Sequence, residues 1–219
     1  MNRNSSARPL AIITGACSGL GLELARLCGR HGHDLLIAVD RPLFDLQRLE
    51  LRSGVNVEAL RVDLAQIADV EAFATVARGR EVGILVAHAG QEPGKAFLDE
   101  DFAAVRNAVD GDLTGALFLV YRIGQQMRRI GRGRILITHP VAGSTGTCRA
   151  MNDGTRAFVE AFSSALRDEL KDSGVSVATP APRQFCADPR RLARTVFEAM
   201  MNDASPAHAM RPAQAGRRS

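Results

Sequence analysis

Three glycines in the spacing Gly-x-x-x-Gly-x-Gly (Gly15, Gly19 and Gly21) follow Thr14 at the end of the apolar run Leu10–Ile13. Such a turn is suited to holding a pyrophosphate. The phosphates must lie close to the backbone, where a Cβ would collide with them. The free amides and the positive end of the helix that follows then hold their charge. Ser18 and Leu20 fill the turn and belong to the same cradle. Asp40 stands 19 residues beyond Gly21. An acid at about that distance can take both ribose hydroxyls of NAD and repels a 2′-phosphate. The adjacent Arg41 could instead pair with that phosphate. Both NAD and NADP stay open, and Asp40 tilts the reading to NAD.

These residues need a strand, a turn and a helix to place them, because only that context gives a glycine pattern its meaning. Leu10–Ile13 reads as a buried strand and Leu20–Arg30 as a helix, with Leu20, Leu24, Leu27 and Cys28 on one face. Apolar strands at Asp34–Val39, Val57–Val62, Ile84–Ala87, Arg134–Thr138 and Val175–Thr179 alternate with helices. The helices are expected near Asp45–Arg52, Ala68–Ala77, Asp101–Arg129, Asp153–Lys171 and Arg190–Met201. In the helix over Asp101–Arg129, Phe102, Val105, Val109, Leu113, Leu117 and Val120 form the inward stripe, and Gly111 and Gly115 weaken or bend it. In the helix over Asp153–Lys171 the inward residues are Phe158, Phe162, Ala165 and Leu166. This alternation predicts an α/β Rossmann-type doubly wound parallel sheet in the order 3-2-1-4-5-6.

The chain has 219 residues, 46% of them hydrophobic, which suits one domain over residues 9–202. A flexible start (1–8) and a basic C-terminal tail (203–219, with Arg211, Arg217 and Arg218) flank it. The tail reads as a solvated end rather than a nucleic-acid contact. No apolar run approaches the ~18 residues of a membrane span, and no signal-peptide pattern opens the chain, so a cytoplasmic protein is expected. Cys17, Cys28, Cys148 and Cys186 lack paired spacing, so neither a disulfide framework nor a metal site is expected.

The turn from Thr14 to Gly21 resembles the TGxxxGxG turn of the short-chain dehydrogenase/reductase family, and the resemblance runs from about Leu10 to Pro182. Asp63-Leu64, in RVDL, resembles the Asp-Leu that touches the adenine ring in that family. ILVAHAG resembles the strand ending NNAG, whose backbone lines the adenosine ribose. Ala89 and Gly90 are kept, while Ala87 and His88 replace the two Asn. His88 reads as a strand-end hydrogen-bonding residue rather than a catalyst.

The resemblance implies hydride transfer through an Asn, Ser, Tyr and Lys tetrad, and here all four positions differ. VDGDLTG puts Asp112 at the Asn place. GRILITHPVAG puts His139 and Pro140 where the family has two serines, the second being catalytic. AMNDGTRAFVEAF puts Asn152 at the Tyr place and Arg156 at the Lys place. The only tyrosine, Tyr121, lies in another helix. Asn152 can hydrogen-bond a carbonyl but supplies no proton. Losing a general acid costs ~10²–10⁴-fold. Pro180-Ala181 replaces the family's Pro-Gly, a large substrate lid is missing, and a seventh strand is missing or reduced.

The expectation is a protein that binds a nicotinamide dinucleotide and is impaired or inactive in hydride transfer, serving as a dinucleotide sensor or companion subunit. One alternative is an active atypical oxidoreductase for a small carbonyl or alcohol, using His139, Asp153 and Arg156. Another is a nucleotide-free oligomerisation scaffold. Family members commonly pair through the helices matching those near 101–129 and 153–171, so a homo- or hetero-oligomer is expected through these.

Overall fold

The structure, a computed structural model, describes residues 8–17, 19–40, 49, 54–88, 94–138, 149–180 and 188–202. Six parallel strands form one sheet: β1 (Leu10–Ile13), β2 (Asp34–Val39), β3 (Val57–Arg61), β4 (Val82–His88), β5 (Gly133–Thr138) and β6 (Val175–Ala178). Their spatial order is β3-β2-β1-β4-β5-β6. β1 and β2 are buried along their whole length, as strands covered on both faces must be. Successive side chains point to opposite faces. Leu10 and Ile12 therefore join one core layer, and Ala11 and Ile13 join the other.

The first layer is closed by α2 (Ile67–Val76), α4 (Ala116–Ile130) and α5 (Arg149–Leu170), with Phe73 as its largest fully buried side chain. The second is closed by α1 (Gly19–Arg30) and α6 (Pro189–Met201), with Phe197 in the same role. Each such side chain contributes about 1.5–3 kcal/mol by leaving water. The strand order reverses between β1 and β4, the place where sheets of this kind open a ligand crevice at their carboxyl ends.

Two helices differ from expectation. The helix expected over Asp101–Arg129 is broken into α3 (Phe102–Val109), a π-helical segment (Asp110–Gly115) and α4. Gly115 backs so closely onto the Leu64 carbonyl that a Cβ would come within 2.0 Å of that oxygen. A π segment adds a residue to the turn, so an apolar stripe drawn for a regular helix loses its phase. Phe102, at the first turn of α3, is 74% exposed, and the buried face of α4 is Ala116, Leu119, Val120, Ile123 and Met127.

In α5 the inward stripe is also displaced. Phe158 and Ala165 are exposed, while Thr155, Val159, Ser163 and Leu170 are buried. Phe158 and Phe162 stack at 5.8 Å along the edge of that face. Phe162 and Leu166 are half-buried against the core, as expected. The helix expected over Asp45–Arg52 lies outside the described residues apart from Leu49, which is buried. The segments 1–7 and 203–219 lie outside them as well. Among the described residues no helix is long and apolar enough to cross a membrane.

Candidate functional site

A cleft of about 390 Å³ opens at the carboxyl ends of β1 to β4. The glycine turn forms one wall, the ends of β2 and β3 another, and the π segment a third. The turn is shaped by close contacts that only glycine permits. Gly15 has φ +67, and a Cβ there would lie 2.4 Å from His88 Cδ2. A Cβ on Gly21 would lie 2.2 Å from the Gly15 carbonyl oxygen. Helix α1 starts at Gly19 directly after the turn, so the positive end of its dipole sits at the cleft. A backbone this bare, at the start of a 12-residue helix beside an open cleft, fits a pyrophosphate.

The floor of the cleft is tied together by hydroxyls. Thr14 Oγ1 donates to the His88 carbonyl at 3.0 Å and accepts from the His88 N–H at 2.9 Å. The His88 ring then meets Thr138 through Nδ1 and Oγ1 at 2.6 Å. All three residues are buried, and together they join the tips of β1, β4 and β5. The strand-end hydrogen-bonding role expected of His88 is what the structure shows. Thr138 did not figure in the sequence reading. Its only sequence signal is a hydroxyl at the end of an otherwise apolar strand.

Asp40 is exposed at the tip of β2 and lines the cleft. Asp63 and Leu64 line it too, after β3. Asp63 is partly committed to its own turn, because its Oδ1 accepts from the Ala65 N–H at 3.0 Å. Asp112 lines the cleft from the π segment and is 7% exposed. Arg61, at the end of β3, is a lining residue that sequence reasoning missed, as are Cys17 and Asn107. Ser18, Arg41, Ala89, Gly90, His139 and Pro140 lie outside the described residues.

On α5, Arg156 is already engaged. Its guanidinium donates to Asp153 Oδ1 at 3.0 Å and to Glu160 Oε1 at 3.5 Å. Arg149 reaches the other Asp153 oxygen at 3.2 Å. Hydrogen bonds from Arg156 and then Arg149 hold the Asp153 carboxyl below the usual carboxylate range. This carboxyl is therefore ionised at neutral pH and makes a poor proton donor. Asn152 is half-buried one position before it. None of these α5 residues lines the cleft of the glycine turn.

The short chain dehydrogenase family model matches residues 9–191. The chain belongs to the short-chain dehydrogenase/reductase family. It is 32% identical over 176 residues to the very-long-chain 3-oxoacyl-CoA reductase of Neurospora crassa, covering 76% of this chain and 53% of that protein. It is 32% identical over 182 residues to 11-beta-hydroxysteroid dehydrogenase-like 6 of Arabidopsis thaliana, covering 80% and 53%. The chain thus spans about half the length of these curated relatives.

Among solved structures, a short-chain dehydrogenase from Sphingobium yanoikuyae in complex with NADPH superposes with a TM-score of 0.76 at 26% identity. That match covers 96% of this chain and all of the other. This short-chain dehydrogenase/reductase carries six parallel strands in the order 3-2-1-4-5-6 and a glycine turn between β1 and α1.

Proposed function

We propose that this protein binds a nicotinamide dinucleotide across the carboxyl ends of β1 to β4 and is impaired in hydride transfer, so that it serves as a dinucleotide sensor or companion subunit. The observation that carries the reading is the contrast within one chain. A Cβ on Gly15 or Gly21 would lie within 2.4 Å of a neighbouring atom, so the turn is built for glycine, yet the places that the resemblance gives to the tetrad carry no hydroxyl of a Ser or Tyr. The turn and α1 would hold the pyrophosphate, and Asp40 and Asp63 would meet the adenosine. The bound dinucleotide supplies or accepts hydride at its nicotinamide ring. On the protein side, Asp112 offers a buried carboxyl, Asn152 a neutral amide and Arg156 a cation paired with Asp153. Asn152 has no titratable proton, and the pairing holds the Arg156 guanidinium protonated.

The relatives favour a second reading, an active reductase with unusual residues. Two of them, at 32% identity, are named as a 3-oxoacyl-CoA reductase and a hydroxysteroid dehydrogenase-like protein. In that reading His139 carries the proton-donor role, with Arg156 at the ribose. The oligomer contact is the outer face of α4 and α5, where Tyr121 is 60% exposed and Phe158 stands beside Phe162.

The test is a calorimetric titration with NAD⁺, NADH, NADP⁺ and NADPH, followed by a carbonyl and alcohol turnover screen. Micromolar binding with turnover far below the common 1–10³ s⁻¹ range supports the first reading. Ordinary turnover that His139→Ala abolishes establishes the second. A folded sample that binds none of the four leaves only the scaffold.

A further inference from the structure

We infer that Arg61 receives a phosphate on the adenosine ribose, so that the protein selects NADP(H) over NAD(H). This rests on the dinucleotide reading and names the cofactor class within it. Arg61 is 21 residues from Asp40 in sequence, but the parallel pairing of β2 with β3 sets Val39 opposite Arg61. The last residue of β3 therefore stands level with the tip of β2, one position before Asp40. Both Asp40 and Arg61 are exposed and line the same cleft.

The charges around them decide between the two dinucleotides. Among the described residues the cleft is lined by the carboxyls of Asp40, Asp63 and Asp112 and by the guanidinium of Arg61. Asp63 spends one oxygen on the Ala65 N–H, and its own N–H donates to Asp69 at 3.2 Å. Asp40 has an interaction of its own. Among the described residues, none hydrogen-bonds or ion-pairs with Arg61. A phosphate arriving there breaks no existing ion pair. A guanidinium also meets a phosphate with two parallel hydrogen bonds, which an ammonium does not. A bare ribose gains little from this cation, whereas a ribose phosphate beside Asp40 requires it. The carboxylate that alone would point to NAD is thus answered from the neighbouring strand.

The experiment is calorimetric titration of the full chain and of Arg61→Gln with NADPH, NADH, 2′,5′-ADP and 5′-AMP, at low and moderate salt. Thermal melting confirms that the variant, altered at an exposed strand end, is folded. The wild type should bind NADPH at least ~10-fold tighter than NADH, and 2′,5′-ADP tighter than 5′-AMP. Arg61→Gln should weaken NADPH and 2′,5′-ADP by ~10–100-fold and leave NADH within ~2-fold, since a charge-assisted bidentate contact is lost only where the phosphate exists. The preference should also shrink as salt rises. Equal weakening of NADPH and NADH would place Arg61 on the shared adenosine and overturn the assignment, as would an unchanged NADPH affinity. If the folded wild type binds neither dinucleotide, the dinucleotide reading itself fails, and this assignment falls with it.

Discussion

Thr14 and His88 exchange two hydrogen bonds through a single hydroxyl, which accepts the His88 N–H and donates to the His88 carbonyl. The contact joins residues 74 apart in sequence and closes the floor of the cleft where β1 and β4 diverge. Thr14→Val keeps the shape and removes the oxygen, leaving two buried backbone groups of His88 without that partner. The expected loss is about 2–3 kcal/mol of stability, because each buried group left unsatisfied costs on the order of 1–3 kcal/mol. Thr14→Ser retains the hydroxyl and should stay within about 1 kcal/mol of wild type. Urea unfolding of the pair distinguishes the hydroxyl from the methyl.

The two described thiols should differ sharply in reactivity. Cys28 is fully buried on α1, and burial pushes its thiol up to about 12, so it holds no reactive thiolate near neutral pH. Cys17 is half-exposed and lines the cleft. Iodoacetamide labelling of the native protein, read by peptide mass, should modify Cys17 and spare Cys28. Saturating dinucleotide should slow the labelling of Cys17. Labelling that is indifferent to dinucleotide would show that the ligand does not occupy this cleft.

His33 makes the fold acid-sensitive at the opposite, amino-terminal edge of the sheet. Burial, reinforced by the charges of His31 and Arg134, pushes its ring down from the ordinary 6.5. The unfolded chain therefore takes up a proton more readily than the folded one. Stability from this residue is fully present above about pH 6.5 and is lost progressively as pH falls below that value toward the folded pKa. His33→Gln should flatten the dependence of the urea midpoint between pH 7.5 and 5.5, a window above most carboxylate titrations. A variant that loses stability as steeply as wild type would assign the acid sensitivity elsewhere.

Rebuilding the missing chemistry tests the impaired-enzyme reading directly. The triple change Pro140→Ser, Asn152→Tyr and Arg156→Lys puts an orienting hydroxyl, a proton donor and a point charge at the places that the sequence resemblance gives to the tetrad. Carbonyl reduction should rise by ~10²-fold or more, the scale of general acid catalysis. Arg156→Lys alone also releases Asp153 from its principal partner, and alone it should do little for turnover. If the triple variant folds, binds dinucleotide and gains nothing, the impairment does not lie in the tetrad.

Much of the sheet is legible from sequence because buried parallel strands are written as uninterrupted apolar runs. Asp34–Val39 coincides with β2 at both ends, and the strand order follows from handedness and alternation. The helix faces are less legible. The stripe through Phe102 assumes a constant 3.6-residue period, and the π segment breaks that period. In α5, small Thr155 and Ser163 go inward while Phe158 stays out, so an apolar count picks the wrong side. In the site, the glycine turn and Asp40 are legible because their spacing is local. Arg61 and Thr138 are not, since they join the cleft through strand register and a side chain from the neighbouring strand.

The π segment also fixes how tolerant this region is to changes in length. Each residue of an α-helix advances the face by about 100°. Deleting one residue between Asp110 and Gly115 would make the helix regular, but it would turn either α3 or α4 by that angle. Leu119, Ile123 and Met127 would swing off the sheet, or Val105 and Ala108 would leave their shelter. The extra residue that brings Asp112 to the cleft is thus the same one that seats α4 against the sheet. Natural drift can exchange the side chain at position 112, but it cannot remove the position without repacking half of one core layer.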